Sequence, residues 1–258
     1  MSYVDEYIKR EGLDRLIDFD KDYKREGLYD AVNGVFNSPF APVKEDLVGL
    51  HRQIRDQKRT TVLEFGVGFS TIVIADALVK NEWEYERDGS PLLRNRYAFK
   101  VFSVDPSTFW VEETENMIPS HLTPYINIVH SGVEICEDKF QVFSRFKRLP
   151  DIVPDFIYLD GPHPKDVHGS IQGLSFKCDE RTIVAGDILY YESTLIPGTI
   201  IRVDGRVNNV RFLLSNLRRY WLDYHTGDVT TLYLQEKRLG NIDTFYWETD
   251  NEHSFYTR

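Results

Sequence analysis

One short stretch combines an acidic residue with two glycines. In TVLEFGVGFST, Glu64 stands just before Gly66, and Gly68 follows. An apolar strand, a Gly-x-Gly turn and a helix are together typical of a nucleotide site, because glycine lets a ligand approach the backbone. A dinucleotide fingerprint needs a third glycine, but Thr71 holds that position. A carboxylate here would repel a pyrophosphate, so we expect a positively charged ligand that has no phosphate.

Further acids and one imidazole follow later apolar runs. Asp105 ends KVFSVD, Asp160 ends DFIYLD and Asp204 ends IIRVD. His163 lies three residues after Asp160 in a proline-flanked turn. Because an imidazole titrates near neutrality, it can take a proton from a hydroxyl group. We therefore expect His163 to be the general base, with capping of its own loop as the alternative, and His168 is a weaker candidate.

Alternating strand and helix patterns would position these residues. Strands are predicted over TVLEF, KVFSVD, YINIVHSG, PDFIYLDG and IPGTIIRVDG, and a hairpin over WLDYH and VTTLYLQ. Helices are predicted over residues 1–30, 43–57, 70–80, 110–122, 134–149, 187–195 and 208–221, with a polar surface insertion at 80–100. The alternation indicates an α/β fold with a doubly wound, Rossmann-like, mostly parallel seven-stranded sheet and a C-terminal antiparallel hairpin. We expect an N-terminal helical cap over residues 1–44, a ligand-binding domain over 45–235 and a polar tail over 236–258.

Composition limits the class of protein. The 258-residue chain carries a formal net charge of −10, which argues against broad binding to nucleic acid or anionic membranes. No apolar run approaches the roughly 20 residues of a membrane span, and the charged N-terminus lacks the apolar core of a signal peptide. Cys136 and Cys178 are far apart, which favours reduced thiols over a disulfide. We therefore expect a cytoplasmic protein with a small-molecule partner and no nucleic-acid or membrane partner, and a homodimer stays open.

The motifs, taken in order, resemble a known family. LEFGVGFST resembles the first motif of class I S-adenosylmethionine-dependent methyltransferases, and its Ser-Thr ending is similar to the branch of catechol, sugar and macrolide O-methyltransferases. FSVDPS resembles the second motif, HSGVEI stands where the family contacts adenine, DFIYLDGPH resembles the fourth motif and LIPGTIIRVDGR resembles the fifth-strand pattern. The resemblance covers roughly residues 45–235 and implies S-adenosylmethionine as the cofactor.

The resemblance also implies roles for individual residues. Asp105 would bind the ribose hydroxyls, although it lies farther from Glu64 than usual because of the insertion at 80–100. The implied cofactor-binding set is Glu64, Gly66, Gly68, Ser70, Thr71, Asp105, Ser131, Gly132, Val133 and Asp160. The implied catalytic set is His163, Asp160 and Asp204, and the implied substrate-binding set is His163, Asp204 and Arg206.

Other uses of the acids and their neighbours stay open. Asp160 and Asp204 could hold a divalent cation, as in the metal-dependent branch, which would lower the pKa of acceptor oxygens. That branch has a second oxygen ligand after its fifth-strand acid, where this chain has Gly205, so we assign no metal ligands. Arg206 has a planar guanidinium that suits a carboxylate or phosphate on the acceptor, and Asp187 is expected to cap the following helix.

Several further features have a weaker meaning. Asn208 and Asn209 could bind polar substrate groups or cap a helix, and the irregular stretch at 161–185 could form a lid. The aromatic residues that could line a pocket or belong to the core are Phe109, Trp110, Tyr190 and Tyr191.

We expect an S-adenosylmethionine-dependent methyltransferase that acts on an oxygen of a small polar molecule, such as a sugar or a natural-product intermediate. Two alternatives are a nicotinamide-dependent oxidoreductase and a non-catalytic binding module with the same fold. Glu64 and the missing third glycine count against the oxidoreductase.

Overall fold

Strands and helices alternate along most of the chain. A computed structural model describes residues 2–21, 29–30, 35–36, 41–89, 93, 95–178 and 180–237. Its helices are α1 (Tyr3–Glu11), α2 (Lys44–Asp56), α3 (Phe69–Arg87), α4 (Thr108–Met117), α5 (Ile188–Tyr191) and α6 (Val207–Asn216). Its strands are β1 (Tyr29–Asp30), β2 (Val35–Phe36), β3 (Thr61–Phe65), β4 (Lys100–Asp105), β5 (Ile126–His130), β6 (Val133–Asp138), β7 (Gln141–Phe146), β8 (Phe156–Leu159), β9 (Val167–His168), β10 (Ile200–Asp204), β11 (Trp221–Thr226) and β12 (Val229–Leu234). Short 3-10 turns cover Leu13–Arg15, Thr123–Tyr125, Pro164–Asp166 and Glu192–Thr194.

One large sheet organises the molecule. Its seven strands lie in the order β11–β12–β10–β8–β3–β4–β5. The strands from β10 to β5 in this order are parallel, while β12 lies antiparallel between β10 and β11. The predicted fold class is therefore confirmed, including the mostly parallel seven-stranded sheet and the C-terminal hairpin.

Both faces of this sheet are covered. Every residue of β3 is buried, as expected for a central parallel strand whose two faces are packed. On one face, Leu50 and Ile54 of α2 and Leu78 of α3 join the buried core. On the other face, Phe146 of β7 and Leu213 of α6 belong to a second core cluster. The strand ends that carry the candidate residues are thus held by a three-layer core.

A β-hairpin replaces one predicted helix. We expected a helix over 134–149, but β6 and β7 pair antiparallel there, and β9 adds a parallel strand to β6. The hairpin turn places Lys139 and Phe140 at positive φ (48° and 63°), a conformation that glycine and asparagine favour. Because neither turn residue gives the usual hairpin signal, the strand alternation alone was too weak to identify it. Glu134 and Arg145 lie opposite each other and form an ion pair of 3.0 Å.

Other boundaries also differ from the prediction. The predicted insertion at 80–100 is helical in its first part, because α3 continues to Arg87. The predicted N-terminal helix ends at Glu11, where Gly12 adopts a left-handed conformation (φ 70°) that ends helices. Residues 22–28 of that prediction, and nearly all of the tail predicted over 236–258, lie outside the described residues. Among the described helices, none combines the length and the apolar character that crossing a membrane requires.

Candidate functional site

The predicted residues meet at one edge of the sheet. The parallel strands β3, β4, β5, β8 and β10 all end there. The glycine turn follows β3, while Asp105, Asp160 and Asp204 stand at or just after the ends of β4, β8 and β10. In open α/β sheets, ligands bind in the crevice outside the carboxyl ends of the strands. The arrangement therefore provides a crevice with acids on several neighbouring strand ends.

The glycine turn needs its glycines for conformational reasons. Gly66 has φ 117° and Gly68 has φ 152°, values that side chains with a Cβ rarely adopt. The Gly66 amide donates a hydrogen bond to the Val104 carbonyl oxygen (2.9 Å). A Cβ added at Gly161 would lie 2.9 Å from the Gly66 nitrogen, so the turn after β8 touches the turn after β3. Backbone contact thus joins two parts of the crevice directly.

Glu64 lies beneath the glycine turn rather than at its rim. Its side chain is fully buried, and its two carboxylate oxygens accept hydrogen bonds from the hydroxyls of Ser70 (2.5 Å), Thr71 (2.7 Å) and Ser103 (2.5 Å). Thr71 Oγ1 also accepts a hydrogen bond from the Gly68 amide (3.1 Å). Burial raises the pKa of Glu64 to about 7, although the hydroxyl groups oppose this rise.

This geometry corrects one expectation from the sequence. Glu64, Ser70 and Thr71 were all assigned to direct cofactor contact, but their side chains bond one another. A carboxylate with no exposed surface cannot touch a ligand in this conformation. Its contribution is to fix the turn and the start of α3, because it links two hydroxyls of that helix to the underlying strand.

Asp105 is the acid best placed to bind a ligand beside the turn. Only 8% of its surface is exposed, and one carboxylate oxygen accepts a hydrogen bond from the Ser107 amide (2.8 Å). Its other oxygen makes no hydrogen bond to any described part of the chain. Its pKa is raised to about 7, chiefly by burial and in smaller part by the negative charges of Asp166, Glu64 and Asp160, while the hydrogen bond from the Ser107 amide opposes the rise. Several acids therefore act on one another across this crevice.

Most polar groups of the segment after β5 already make hydrogen bonds within the protein. The Ser131 amide donates a hydrogen bond to the Asp105 carbonyl oxygen (3.0 Å), and the Ser131 hydroxyl accepts one from the Arg148 amide (2.8 Å). Val133 is fully buried at the start of β6. The Gly132 carbonyl oxygen accepts a hydrogen bond from the Lys147 amide (2.9 Å). The three predicted adenine contacts therefore lie beside Asp105, with the Ser131 side chain already hydrogen-bonded.

Asp160 presents a carboxylate with no hydrogen-bond partner among the described residues. It follows β8 and is solvent-accessible, although protein surrounds it on most sides. Reduced hydration raises the pKa of Asp160 to about 6, Arg206 opposes this rise, and the negative charges of Asp204 and Asp46 add to it. A carboxylate of this kind is suited to accept a proton near neutral pH.

His163 caps the short turn that follows it. Its Nδ1 accepts a hydrogen bond from the Lys165 amide (3.2 Å), at the start of the 3-10 turn Pro164–Asp166. Burial lowers the pKa of His163, and the charges of Lys165 and Arg206 lower it further, so the ring is neutral at pH 7. A neutral imidazole that accepts at Nδ1 carries its proton on Nε2 and has no second lone pair for another proton.

This hydrogen bond favours the capping alternative for His163 over the role of general base. The weaker candidate, His168, lies exposed on β9. Asp160 is the better base by geometry, because its carboxylate is open to the crevice.

Arg206 holds the turn after β8 instead of facing an acceptor. One terminal nitrogen donates to the Pro162 carbonyl oxygen (3.1 Å), and the other donates to the Asp160 carbonyl oxygen. The substrate-binding role predicted for Arg206 is therefore not supported by its contacts. Asp204 accepts a hydrogen bond from the Tyr158 hydroxyl on one oxygen (2.8 Å). These contacts tie the end of β10 to the end of β8.

A cavity of about 490 Å³ lies between these two strand ends. Its lining includes Asp160, Asp204, Arg206, Thr182, Ile183 and Asn208. Asn208 donates to the Thr182 hydroxyl (2.7 Å). The buried Asn209 side chain accepts from the Ala185 amide (2.7 Å) and donates to the Ala185 carbonyl oxygen (3.0 Å). Both asparagines thus attach the stretch 161–185 to α6, and its Val167, Phe176 and Ile183 are buried in the core.

A group of three carboxylates adjoins this cavity. Oxygens of Asp46, Asp204 and Asp228 lie within 4.8 Å of one another, and Asp160 does not belong to this group. Asp46 comes from the first turn of α2, and Asp228 precedes β12. Sequence reasoning missed both, because neither stands at the end of a parallel strand. The approach of α2 to this edge of the sheet can be seen only in the fold.

Asp187 differs from expectation, and Tyr191 follows the core alternative given for the aromatic residues. Asp187 does not cap α5; one of its carboxylate oxygens accepts a hydrogen bond from the Phe146 amide (2.8 Å), and the other is buried without a partner in the part of the chain that the structure describes. Burial raises the pKa of Asp187 to about 7. Tyr191 belongs to the core, and its hydroxyl donates to the Pro150 carbonyl oxygen (2.7 Å). Tyr190 is exposed and bonds Arg145.

Comparisons with known proteins give similarity in structure only. No protein-family model matches the chain, and no curated protein matches it. An O-methyltransferase from Bacillus cereus in complex with S-adenosylhomocysteine is 13% identical, with 89% of this chain and 90% of that chain covered and a TM-score of 0.42. An O-methyltransferase from Streptomyces achromogenes involved in tomaymycin synthesis, in complex with S-adenosylmethionine, is 13% identical, with 92% and 100% covered and a TM-score of 0.45. A methyltransferase from Geobacter sulfurreducens is 14% identical, with 92% and 91% covered and a TM-score of 0.41. At these identities and TM-scores, the likenesses support no statement about activity.

Proposed function

We propose that the chain is an S-adenosylmethionine-dependent methyltransferase that acts on an oxygen of a small polar molecule, such as a sugar or natural-product intermediate. The observation that carries the proposal is the acidic crevice beside a glycine turn at the carboxyl edge of the sheet. Asp105 and Asp160 open onto this crevice, and the buried Glu64 lies beneath the turn. Negative charge around the turn disfavours a pyrophosphate and favours a donor with a sulfonium and an ammonium group.

The residues present fit this cofactor. Gly68 leaves room for a ligand against the backbone, because nothing lies within 4 Å of a Cβ built there, whereas a Cβ at Gly66 would meet the Gly161 nitrogen at 3.4 Å. Asp105 has one carboxylate oxygen without a partner among the described residues, which can accept a hydrogen bond from a ribose hydroxyl. The positive charge of the ligand would also lower the raised pKa of Asp105 and stabilise its charged form.

S-adenosylmethionine, when bound, supplies a methyl group activated by a sulfonium sulfur. The chain must then hold the acceptor in line and remove its proton. The cavity between β8 and β10 adjoins the glycine turn through the contact of Gly161 with Gly66. Asp160 lines this cavity, so we assign its carboxylate as the group that accepts the acceptor proton. His163 and Arg206 would position Asp160 by fixing the turn that carries it.

Ligand binding tests the donor half of this proposal. Thermal unfolding of the full chain should shift upward with S-adenosylhomocysteine and stay unchanged with NAD. Asp105→Asn should weaken S-adenosylhomocysteine roughly 10-fold or more, because it removes a charged hydrogen-bond acceptor. Asp223→Asn is the matched control, since it removes one exposed acid from β11, away from the crevice. Stabilisation by NAD, or equal affinity in both variants, would refute the assignment.

Turnover separates an enzyme from a non-catalytic binding module. A binding module would retain S-adenosylhomocysteine affinity but would release no S-adenosylhomocysteine from S-adenosylmethionine with any acceptor. The enzyme should release it with at least one acceptor, and Asp160→Asn should reduce that rate by about 10²-fold or more if Asp160 is the base.

A further inference from the structure

Among the polar side chains that line the cavity between β8 and β10, the nitrogen atoms and the carboxylate oxygens differ in how far they are already hydrogen-bonded within the protein. Both terminal nitrogens of Arg206 donate to backbone carbonyl oxygens. Both polar atoms of the Asn209 amide bond Ala185, and the Asn208 nitrogen donates to Thr182. Each of these nitrogen atoms therefore already makes a hydrogen bond within the fold, although the guanidinium of Arg206 keeps further N–H groups.

The carboxylate oxygens of the same cavity have few hydrogen-bond partners among the described residues. The Asp160 carboxylate has no hydrogen bond from any residue that the structure describes, and Asp204 uses one oxygen for Tyr158. Asp46 and Asp228 place two more carboxylates within 4.8 Å of Asp204. Burial and, to a smaller extent, the negative charges of Asp204 and Asp228 raise the pKa of Asp46, while Arg202 opposes the rise. The cavity therefore offers hydrogen-bond acceptors and negative charge to a bound ligand.

Arg206 and the start of α6 act in the opposite direction. The N-terminus of α6 contributes Val207 to the lining, and the side chain of its N-cap residue, Arg206, does not cap this helix. A helix N-terminus is equivalent to about half a positive charge. Asp160 and Asp204 on the same lining, with the adjoining Asp46 and Asp228, carry up to four negative charges, whereas Arg206 carries one positive charge. The net charge around the cavity is therefore negative, even with the helix and Arg206 included.

We propose that the acceptor carries a protonated amine, which Asp204 binds while a neighbouring hydroxyl faces the methyl donor and Asp160. This inference rests on the proposed function and names its substrate class. It disfavours acceptors whose binding group is a carboxylate or a phosphate, because the carboxylates at the cavity would repel such a group. An amine supplies hydrogen-bond donors and a positive charge to carboxylate oxygens that have no partner among the described residues.

Matched fragments test this choice. Pyranose and phenyl scaffolds are each prepared with an amine, an N-acetylamine or a carboxylate at the same position. Their dissociation constants are measured by ligand-observed NMR on the full chain, treated with EDTA and saturated with S-adenosylhomocysteine. On at least one scaffold, the amine should bind at least 10-fold more tightly than the N-acetylamine, and the carboxylate should bind most weakly. Asp204→Asn should remove this advantage, while Asp223→Asn should preserve it.

Several results would overturn the proposal. Equal binding of amine and N-acetylamine, preference for the carboxylate, or no binding of any amine would each do so. A preference that appears only after Mg²⁺ is added would show that the carboxylates hold a metal instead. If Asp204→Asn weakens S-adenosylmethionine but not the amine fragments, the acids serve the donor. Failure of S-adenosylhomocysteine to bind the wild-type chain would instead refute the proposed function itself, and the acceptor class with it.

Discussion

Asparagine at position 163 separates the two roles that His163 could have. The Nδ1 atom of His163 accepts a hydrogen bond from the Lys165 amide. In His163→Asn, the side-chain oxygen can accept the same bond, because asparagine is among the best capping residues. Asparagine cannot take a proton at neutral pH. His163→Asn therefore keeps the cap and removes the base, whereas His163→Ala removes both.

The expected effects of losing a general base and of losing a cap differ enough to distinguish the two roles. A general base contributes about 10²- to 10⁴-fold to a rate. Loss of a cap costs about 1 kcal/mol of stability. If His163 acts as a cap, His163→Asn should keep its rate within about 3-fold of wild type, which is well below the effect of a lost base. His163→Ala should unfold at a lower temperature and lose activity because the turn that carries Asp160 is no longer fixed.

The assay combines thermal unfolding with S-adenosylhomocysteine release, using whichever acceptor gives turnover in the wild type. A pH profile adds a second readout. Because the base must be deprotonated, a rate that depends on Asp160 should rise with pH through about 6, the raised pKa of that carboxyl. His163→Asn should keep this profile. A rate in His163→Asn that falls as far as in His163→Ala, with normal unfolding temperature, would show that His163 is the base and that the capping argument is wrong.

Two further substitutions test the packing around the site. Asp187→Asn should stabilise the protein at pH 8 by about 1–3 kcal/mol and leave it unchanged at pH 4, as measured by chemical unfolding. The folded state raises the Asp187 pKa to about 7, so the stability that the protonated carboxyl contributes is lost as pH rises through that value. Asparagine stays neutral and can still accept the hydrogen bond from the Phe146 amide. An equal effect at both pH values would contradict this cause. Gly161→Ala should destabilise the fold by about 1–3 kcal/mol and weaken S-adenosylhomocysteine, because its Cβ would lie 2.9 Å from the Gly66 nitrogen. Gly132→Ala, whose Cβ would meet only a side-chain carbon at 3.8 Å, is the control for unfolding, and equal stability of the two variants would refute the clash.

The sequence was sufficient to predict the strands and the sheet edge at which their terminal acids lie, because strand pattern and topology determine both. TVLEF, KVFSVD and PDFIYLDG read as buried strands, and parallel strands place their carboxyl ends at one edge. Asp105, Asp160 and Asp204 therefore lie at the same edge of the sheet, as predicted. The C-terminal hairpin was also predictable, because its turn contains a glycine, Gly227, which adopts φ 63° in the structure. These features depend on residue types that are close together along the chain.

The sequence was insufficient where side-chain partners decide the answer. Glu64 was expected at the rim, but three hydroxyls bond it beneath the turn. Arg206 was expected to face an acceptor, but two carbonyl oxygens of the neighbouring turn engage it. Asp46 reaches the edge only because α2 packs there. Such contacts join residues far apart in sequence, and no local pattern encodes them.

The same contacts explain how one site could couple donor and acceptor. The turn after β8 touches Gly66 on its donor side and is held by Arg206 on its acceptor side. Asp160 lies on this turn, so any displacement of the turn moves the proposed base relative to both ligands. Because a misplacement of about 1 Å can cost 10²-fold in rate, the hydrogen bonds of Arg206 would matter for turnover more than for binding. That makes the arginine a positioning residue in the proposed reaction, although it was first expected to bind the substrate.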